Sequence, residues 1–348
     1  MLSVSIGRRA LPALALAGLA ACSGQQTTTA FVPNSAAPAA VMPSQADAAP
    51  GKAGADASPL GSPLMFTANR DGGKGHVGGL LAFHFDAYGN VKPAVHIAGS
   101  ATTLYNPDSL AIDSNRNIYA ADDGGTQVAV FASNAHGDAA PSRVIGGSQS
   151  NLGPTEGLLI DKSGDLWVSS YSNNDVTEYA PNAKGNVAPI DTIGGGNTQL
   201  DSPTGMATDS NGRLFVANSF GQSITIYAKG ASGNASPVGV ISGSNTGLSH
   251  PFALGFDGNG RLLVADESSG VLVFASGATG NASPLQHITG FNEADGVMAD
   301  KSNEIYVADF SNKAIKVYAS NATGNATPVR VIQGSKTGLN GPNFIVKQ

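Results

Sequence analysis

Apolar and polar positions alternate through most of the chain in short runs, and the runs come in sets of four. Residues 203–243 show the unit clearly. A small apolar run at 206–208 is followed by a turn at 209–212 and a stronger apolar run at 214–217. A polar turn at 218–223, an alternating run at 224–228, a Gly-Asn turn closed by Pro237 and a last run at 238–241 complete it. Short alternating runs bounded by Gly, Pro, Asn and Asp predict half-buried strands. The unit therefore predicts four strands and three turns, one antiparallel sheet.

The unit recurs. The turn Gly-(Asn/Asp)-x-x-Pro begins at Gly89, Gly137, Gly185, Gly233, Gly280 and Gly324, in steps of 48, 48, 48, 47 and 44. The aspartates closing the first strand are Asp113, Asp161, Asp209, Asp257 and Asp300, and one further step of 48 lands on Gln348. Four-stranded repeats of this length are the mark of propeller blades. The second-strand pattern recurs six times, and its first copy, 65–69, has no first strand before it. Residues 342–346 are a first strand with nothing after them. Pairing these two halves leaves no open inner edge. The expected fold is all-β: a six-bladed propeller over residues 63–348, with blade 1 built from both ends of that span.

The same periodicity places candidate chemistry. The residue five positions before each closing aspartate, or before Gln348, is Asp108, Glu156, Thr204, Phe252, Asp295 or Asn343. All six are expected at one level, at the mouth of the central channel. Asp295, Asn343, Asp108 and Glu156 come from consecutive blades. Oxygen donors without imidazole or thiolate suit calcium or magnesium. The alternative for these side chains is local: Asp, Asn and Thr at strand entries also bond to nearby backbone amides. The ring that ends every second strand, Asn69, Asp122, Ser170, Asn218, Asp266 and Asp309, is read as turn capping.

The stretch PTGMATDSNGRLFVA at Pro203–Ala217 resembles the NHL repeat. It is also similar to the senescence marker protein and gluconolactonase family of six-bladed propellers. That resemblance implies a divalent metal held by Glu, Asn and Asp at inner-strand ends, and lactonase activity. Glu156-Gly157 and Asp295-Gly296 resemble the Glu and Asp elements. The Asn-Gly element is replaced by Thr204-Gly205, and Asn343 stands in a different blade order.

Loops on the mouth face differ between repeats, and variation on a fixed scaffold is where binding usually sits. Residues 70–79 form the longest loop and carry Arg70, Lys74 and His76. The connection into blade 6 is four residues shorter than its equivalents, which should open the mouth near Asp295. Arg70, Lys74, His76, Thr204, His250 and Phe252 are the candidate ligand-binding residues. No Ser-His-Asp or Cys-His set can be assembled. The Asn-x-Ser/Thr triplets at Asn234, Asn281, Asn321 and Asn325 are read as turns.

Composition narrows the partners. A formal charge of -6 with 19 Lys+Arg leaves no electrostatic footprint for nucleic acid. The single cysteine, Cys22, follows Arg8-Arg9, an apolar run and Leu19-Ala20-Ala21. This resembles a bacterial lipobox, implying a signal peptide over 1–21, lipidation of Cys22 and a membrane partner. Ser23 after the cysteine favours an outer membrane where the host has one. Residues 22–62, rich in Ala, Pro and Ser, read as a lipidated disordered tether. The expectation is an envelope lipoprotein, periplasmic or surface-exposed and monomeric, presenting a protein-, peptide- or carbohydrate-binding module. The alternative is a calcium- or magnesium-dependent lactonase.

Overall fold

The computed structural model describes residues 63–70, 78–123 and 125–348. The expected signal peptide and tether, Cys22, Lys74 and His76 lie outside the described residues. The described residues form six four-stranded antiparallel sheets. In the unit at 203–243 the strands are Pro203–Thr208, Leu214–Asn218, Ser223–Tyr227 and Gly239–Ile241, in that spatial order. The first begins three residues before the apolar run, because Pro203 pairs with Asn218 beyond a break in register. One three-residue 3-10 turn, Ser100–Thr102, is the only helical element among the described residues.

Blade 1 closes as the two half-repeats require. Pro342–Lys347 pairs with Leu64–Asn69, setting Phe66 against Val346 and Thr67 against Ile345. Gly79–His84 and Val95–Ala98 complete the sheet. Second strands such as Leu262–Asp266 are buried along their whole length. Both faces meet neighbouring blades, so they read as unbroken apolar runs. Between blades 4 and 5, for example, Phe215, Ala217 and Ile226 pack with Leu262, Val264 and Leu272. Burial of this kind contributes about 25 cal/mol per Å² of apolar surface and is the main force holding blade to blade.

The Gly-Asn turns do more than reverse the chain. Only the glycine adopts positive φ: Gly233 has φ 62, and Asn234 does not share it. The connection between third and fourth strands instead runs along the outside of the preceding blade. Gly233 N donates to Thr192 O at 2.7 Å and Gly233 O accepts from Gly194 N at 3.0 Å, a one-residue parallel pairing with that blade's outer strand. The Asn234 side chain then accepts from Asn197 N at 2.7 Å. The parallel pairing occurs at Gly89, Gly137, Gly185, Gly233, Gly280 and Gly324, so every blade clasps the one before it around the whole circle. Gly89 fastens blade 1 to Ile332 of blade 6.

These clasps cover outer edge strands that would otherwise offer unpaired amides to another chain. Asn234→Ala removes the side-chain acceptor and is expected to cost about 1 kcal/mol. Asn234→Asp, which copies the Asp138 cap on Ala101 N, is expected to cost little. Thermal melts of the two variants side by side check both.

Candidate functional site

Each ring residue is the second residue of its blade's first strand, and in five of the six blades the register jumps there. Pro107 faces Asp122 and Ser109 faces Ala121, leaving Asp108 unpaired in the ladder. Glu156, Thr204, Phe252 and Asp295 stand within equivalent breaks. A bulge turns the extra residue out of the pleat and re-aims its side chain. This is how an otherwise apolar strand delivers a polar group to the channel mouth. Asp108, Glu156, Thr204, Phe252, Asp295 and Asn343 are all buried.

The glycine after three of these residues has a packing cause. A Cβ on Gly157 would lie 2.2 Å from Thr204 O, and one on Gly205 would lie 2.4 Å from Phe252 O. At Gly296 it would meet the Phe344–Ile345 backbone at 3.0 Å. The Glu-Gly, Thr-Gly and Asp-Gly pairs thus let neighbouring inner strands approach closely, independently of any chemistry.

The ring splits into distinct neighbourhoods. Asn343 Nδ2 donates to Asp108 Oδ1 at 2.5 Å, and Arg70 Nη1 approaches the same oxygen at 3.4 Å. Arg70 also makes a close ion pair with Asp123. Thr204 Oγ1 donates to Pro251 O at 3.1 Å, a structural bond. Phe252 and Phe344 meet with ring centroids 5.2 Å apart. Their blades, 5 and 1, are not neighbours, so the contact links inner strands on either side of blade 6. Further along, the inner strands line an open cavity of roughly 370 Å³ bordered by Leu110, Leu158, Met206, Leu254 and Val297.

The expected metal quartet was tested against this arrangement. Asp108, Glu156 and Asp295 do not gather as a trio within 4.8 Å, whereas Glu267, Glu293 and Asp295 do. Asn343 and Asp108 are bonded to each other, and an arginine already supplies Asp108 with positive charge.

Glu267 and Glu293 were not singled out from the sequence. Glu267 directly follows a second strand, in the position held by Arg70, Asp123, Tyr171, Ser219 and Phe310 in other blades. That position could have been found by continuing the repeat one residue beyond the capping ring. Glu293 comes from the short connection 289–293, which meets Asp295 where the lowered rim was expected. Beside this corner Phe220 stacks edge-on between Tyr171, at 5.6 Å, and His250, at 6.4 Å. Phe220 is 63% exposed. Arg70, His250, Thr204 and Phe252 thus lie on one face, divided between an ion-paired side, an aromatic arc and an acidic corner.

Four of the six strand-ending residues cap turns as expected, whereas Asp309 bonds the side chains of Asn312 and Lys316, and Ser170 Oγ caps nothing. Asp122 accepts from Tyr105 N and Asn106 N, and Asp266 from Ser249 N and His250 N. Asn218 accepts from Asp201 N, and Asn69 from Asn340 N. Burial raises the Asp122 carboxyl above the usual range, and the amide bonds partly offset it.

The opposite face carries an electrostatic exception. In blades 4 and 5, Arg213 and Arg261 pair with Asp209 and Asp257 at 2.8 and 2.6 Å. In blade 6, Arg330 pairs with Glu304 at 2.6 Å. One repeat before Arg213, blade 3 has Asp165, and one repeat after Arg143 it has Asp191. Asp161, Asp165 and Glu178 consequently lie within 4.8 Å of one another. Burial, followed by repulsion from Asp165, Asp161 and Asp191, pushes Glu178 from 4.5 up to about 7.

A carboxyl raised in the folded state favours folding only while protonated. Its effect is benign below pH 4.5 and increasingly unfavourable up to about pH 7. Glu178→Gln is therefore expected to raise the melting temperature at pH 8 by roughly one to two degrees and to change nothing at pH 4. Melts at both pH values check this.

No family model and no curated protein matches the sequence. Solved structures do match. A putative 6-phosphogluconolactonase from Bacteroides fragilis superposes with a TM-score of 0.57 at 11% identity, over 84% of this chain and 100% of that one. A chain of a nidogen/laminin complex gives 0.54 at 14%, over 82% and 98%. The WD40 propeller domain of Doa1 gives 0.52 at 12%, over 79% and 80%. At such identities the likeness establishes the architecture alone, and the architecture is a six-bladed β-propeller.

Proposed function

We propose that this protein is an envelope lipoprotein, anchored through Cys22, whose NHL-like propeller binds a partner through its mouth face. The observation that carries the reading is the aromatic arc around Phe220, a large exposed ring held in place on a rigid scaffold. Exposed aromatics of this kind belong to interaction surfaces more than to inert ones. The outer strand edges, by contrast, are already paired by the clasps. A partner that adds a strand to an edge therefore has little to pair with. The anchor rests on the Leu19–Cys22 motif and the spacer that follows it.

Photo-crosslinking in the native envelope tests the reading. A crosslinker at Tyr105 or Phe220, on the mouth face, is expected to capture a discrete partner. One at Ser163 or Asn259, on the opposite face, is expected to capture none. Cys22→Ser is expected to release the protein into the soluble fraction. Capture only from the opposite face overturns the assignment of the face, and unchanged membrane retention overturns the anchor. The metal-dependent lactonase reading has in its favour four buried oxygen-bearing side chains, Asp108, Glu156, Asp295 and Asn343, each second in its blade's first strand.

A further inference from the structure

We propose that the channel end opposite the mouth binds one molecule of a medium-chain carboxylic acid, its alkyl chain among the inner strands and its carboxylate against Lys347. This site is separate from the aromatic arc and goes beyond the binding reading above.

Three observations converge on that chemistry. The first is position and size. All six inner strands line the open cavity, which puts it on the axis of the ring. The last residue of each inner strand takes part: Ile112, Ile160, Thr208, Phe256, Ala299 and Lys347. Those are the strand ends away from the mouth. An apolar cavity of about 150 Å³ takes up benzene, so this one, at roughly 370 Å³, has room for about a dozen carbon-sized atoms.

The second is the wall. Leu110, Leu158, Met206 and Leu254 are buried, whereas Ile112, Ile160, Phe256 and Val346 stay half-buried. All of them line the cavity. Apolar side chains that line a concave site and still meet water gain from an apolar guest. An alkyl chain supplies that surface in a form narrow enough for an axial site.

The third is sign. Among the described residues that line the cavity, Lys347 alone carries a charged side chain, and its five equivalents in the repeat are uncharged. Lys347 is exposed, and its Nζ donates to Ala299 O at 3.4 Å. No carboxylate pairs with it among the described residues. The nearby strand-closing aspartates are committed elsewhere. Asp113, Asp161, Asp209, Asp257 and Asp300 each accept two backbone amides within their own hairpins. One cation at the rim of an apolar site matches a carboxylate with an alkyl tail, whereas a cationic head would be repelled.

Calorimetric titration of the full chain with octanoate, octan-1-ol and octyltrimethylammonium tests this. Octanoate is expected to saturate a single site and to bind about ten-fold tighter than the ammonium, with the alcohol between them. Lys347→Gln, at an exposed position, is expected to weaken octanoate about three-fold and to leave the alcohol unchanged. Thr208→Trp is expected to fill the cavity and weaken all three about ten-fold, with a thermal melt checking the fold. Ile160→Asn, a smaller change at the same rim, is expected to weaken all three about three-fold and serves where the tryptophan variant does not fold. Equal affinity for octanoate and the alcohol, unmoved by Lys347→Gln, overturns the carboxylate head. Binding that does not saturate, or that a folded Thr208→Trp or Ile160→Asn variant retains in full, overturns the channel site itself.

Discussion

Removing residues 342–347 is expected to abolish the cooperative fold of the whole ring, not of one blade. The segment supplies the inner strand of blade 1 and pairs along the length of Leu64–Asn69. It also carries the buried Asn343, Phe344 and Ile345. Burying two large apolar side chains contributes about 1.5–3 kcal/mol each. Loss of the strand would add an open inner edge, and Thr67 Oγ1 would lose its bond to Asn343 O at 2.6 Å. Set against a total stability of about 5–15 kcal/mol for a natural domain, the sum is ruinous. Circular dichroism should show no cooperative melt for the truncated chain. Adding a synthetic peptide of residues 340–348 in excess should restore one through mass action. A truncated chain that melts as sharply as the intact one, within a few degrees, would refute the closure.

Phe252→Ala is expected to cost about 3–5 kcal/mol, through lost burial and the cavity left behind. Phe252 is 0% exposed and packs on Phe344. The melting temperature should fall by on the order of ten degrees. Phe252→Ala with Phe344→Ala should be distinctly less damaging than the sum of the two single changes, because the second truncation removes a ring that has already lost its partner. Strict additivity would mean that the two rings do not support each other.

The architecture was legible because a repeat of 48 residues fixes what each position does six times over. Strand identity, most of the capping ring and the blade 1 closure all follow from that spacing, and so does the place of Asp108, Glu156 and Asp295 as the second residue of their strands. What the period does not carry is which neighbour a side chain touches. Asn234 reads as turn chemistry within its own repeat, yet its acceptor serves Asn197 of the blade before. Arg70 reads as a ligand-facing cation, yet it is committed to Asp108 and Asp123 in the next blade. Asp295 gathers with Glu267 and Glu293, two residues that the ring of equivalent positions does not include. The acidic corner depends on a shortened connection whose path no periodic pattern specifies.

The clasps have a direction, and the direction bears on how the protein is made. Gly137 fastens onto Ile97, Gly185 onto Ile145 and so on round, each later segment securing an earlier one. A nascent chain emerging amino end first can thus lock every blade but the last as the next one appears. Only Gly89 must wait for Ile332, and Leu64–Asn69 for Pro342–Lys347. Maturation then reduces to one terminal zipping event, and a chain stalled before it is a nearly finished ring with a single sticky gap, the form a quality-control protease would meet.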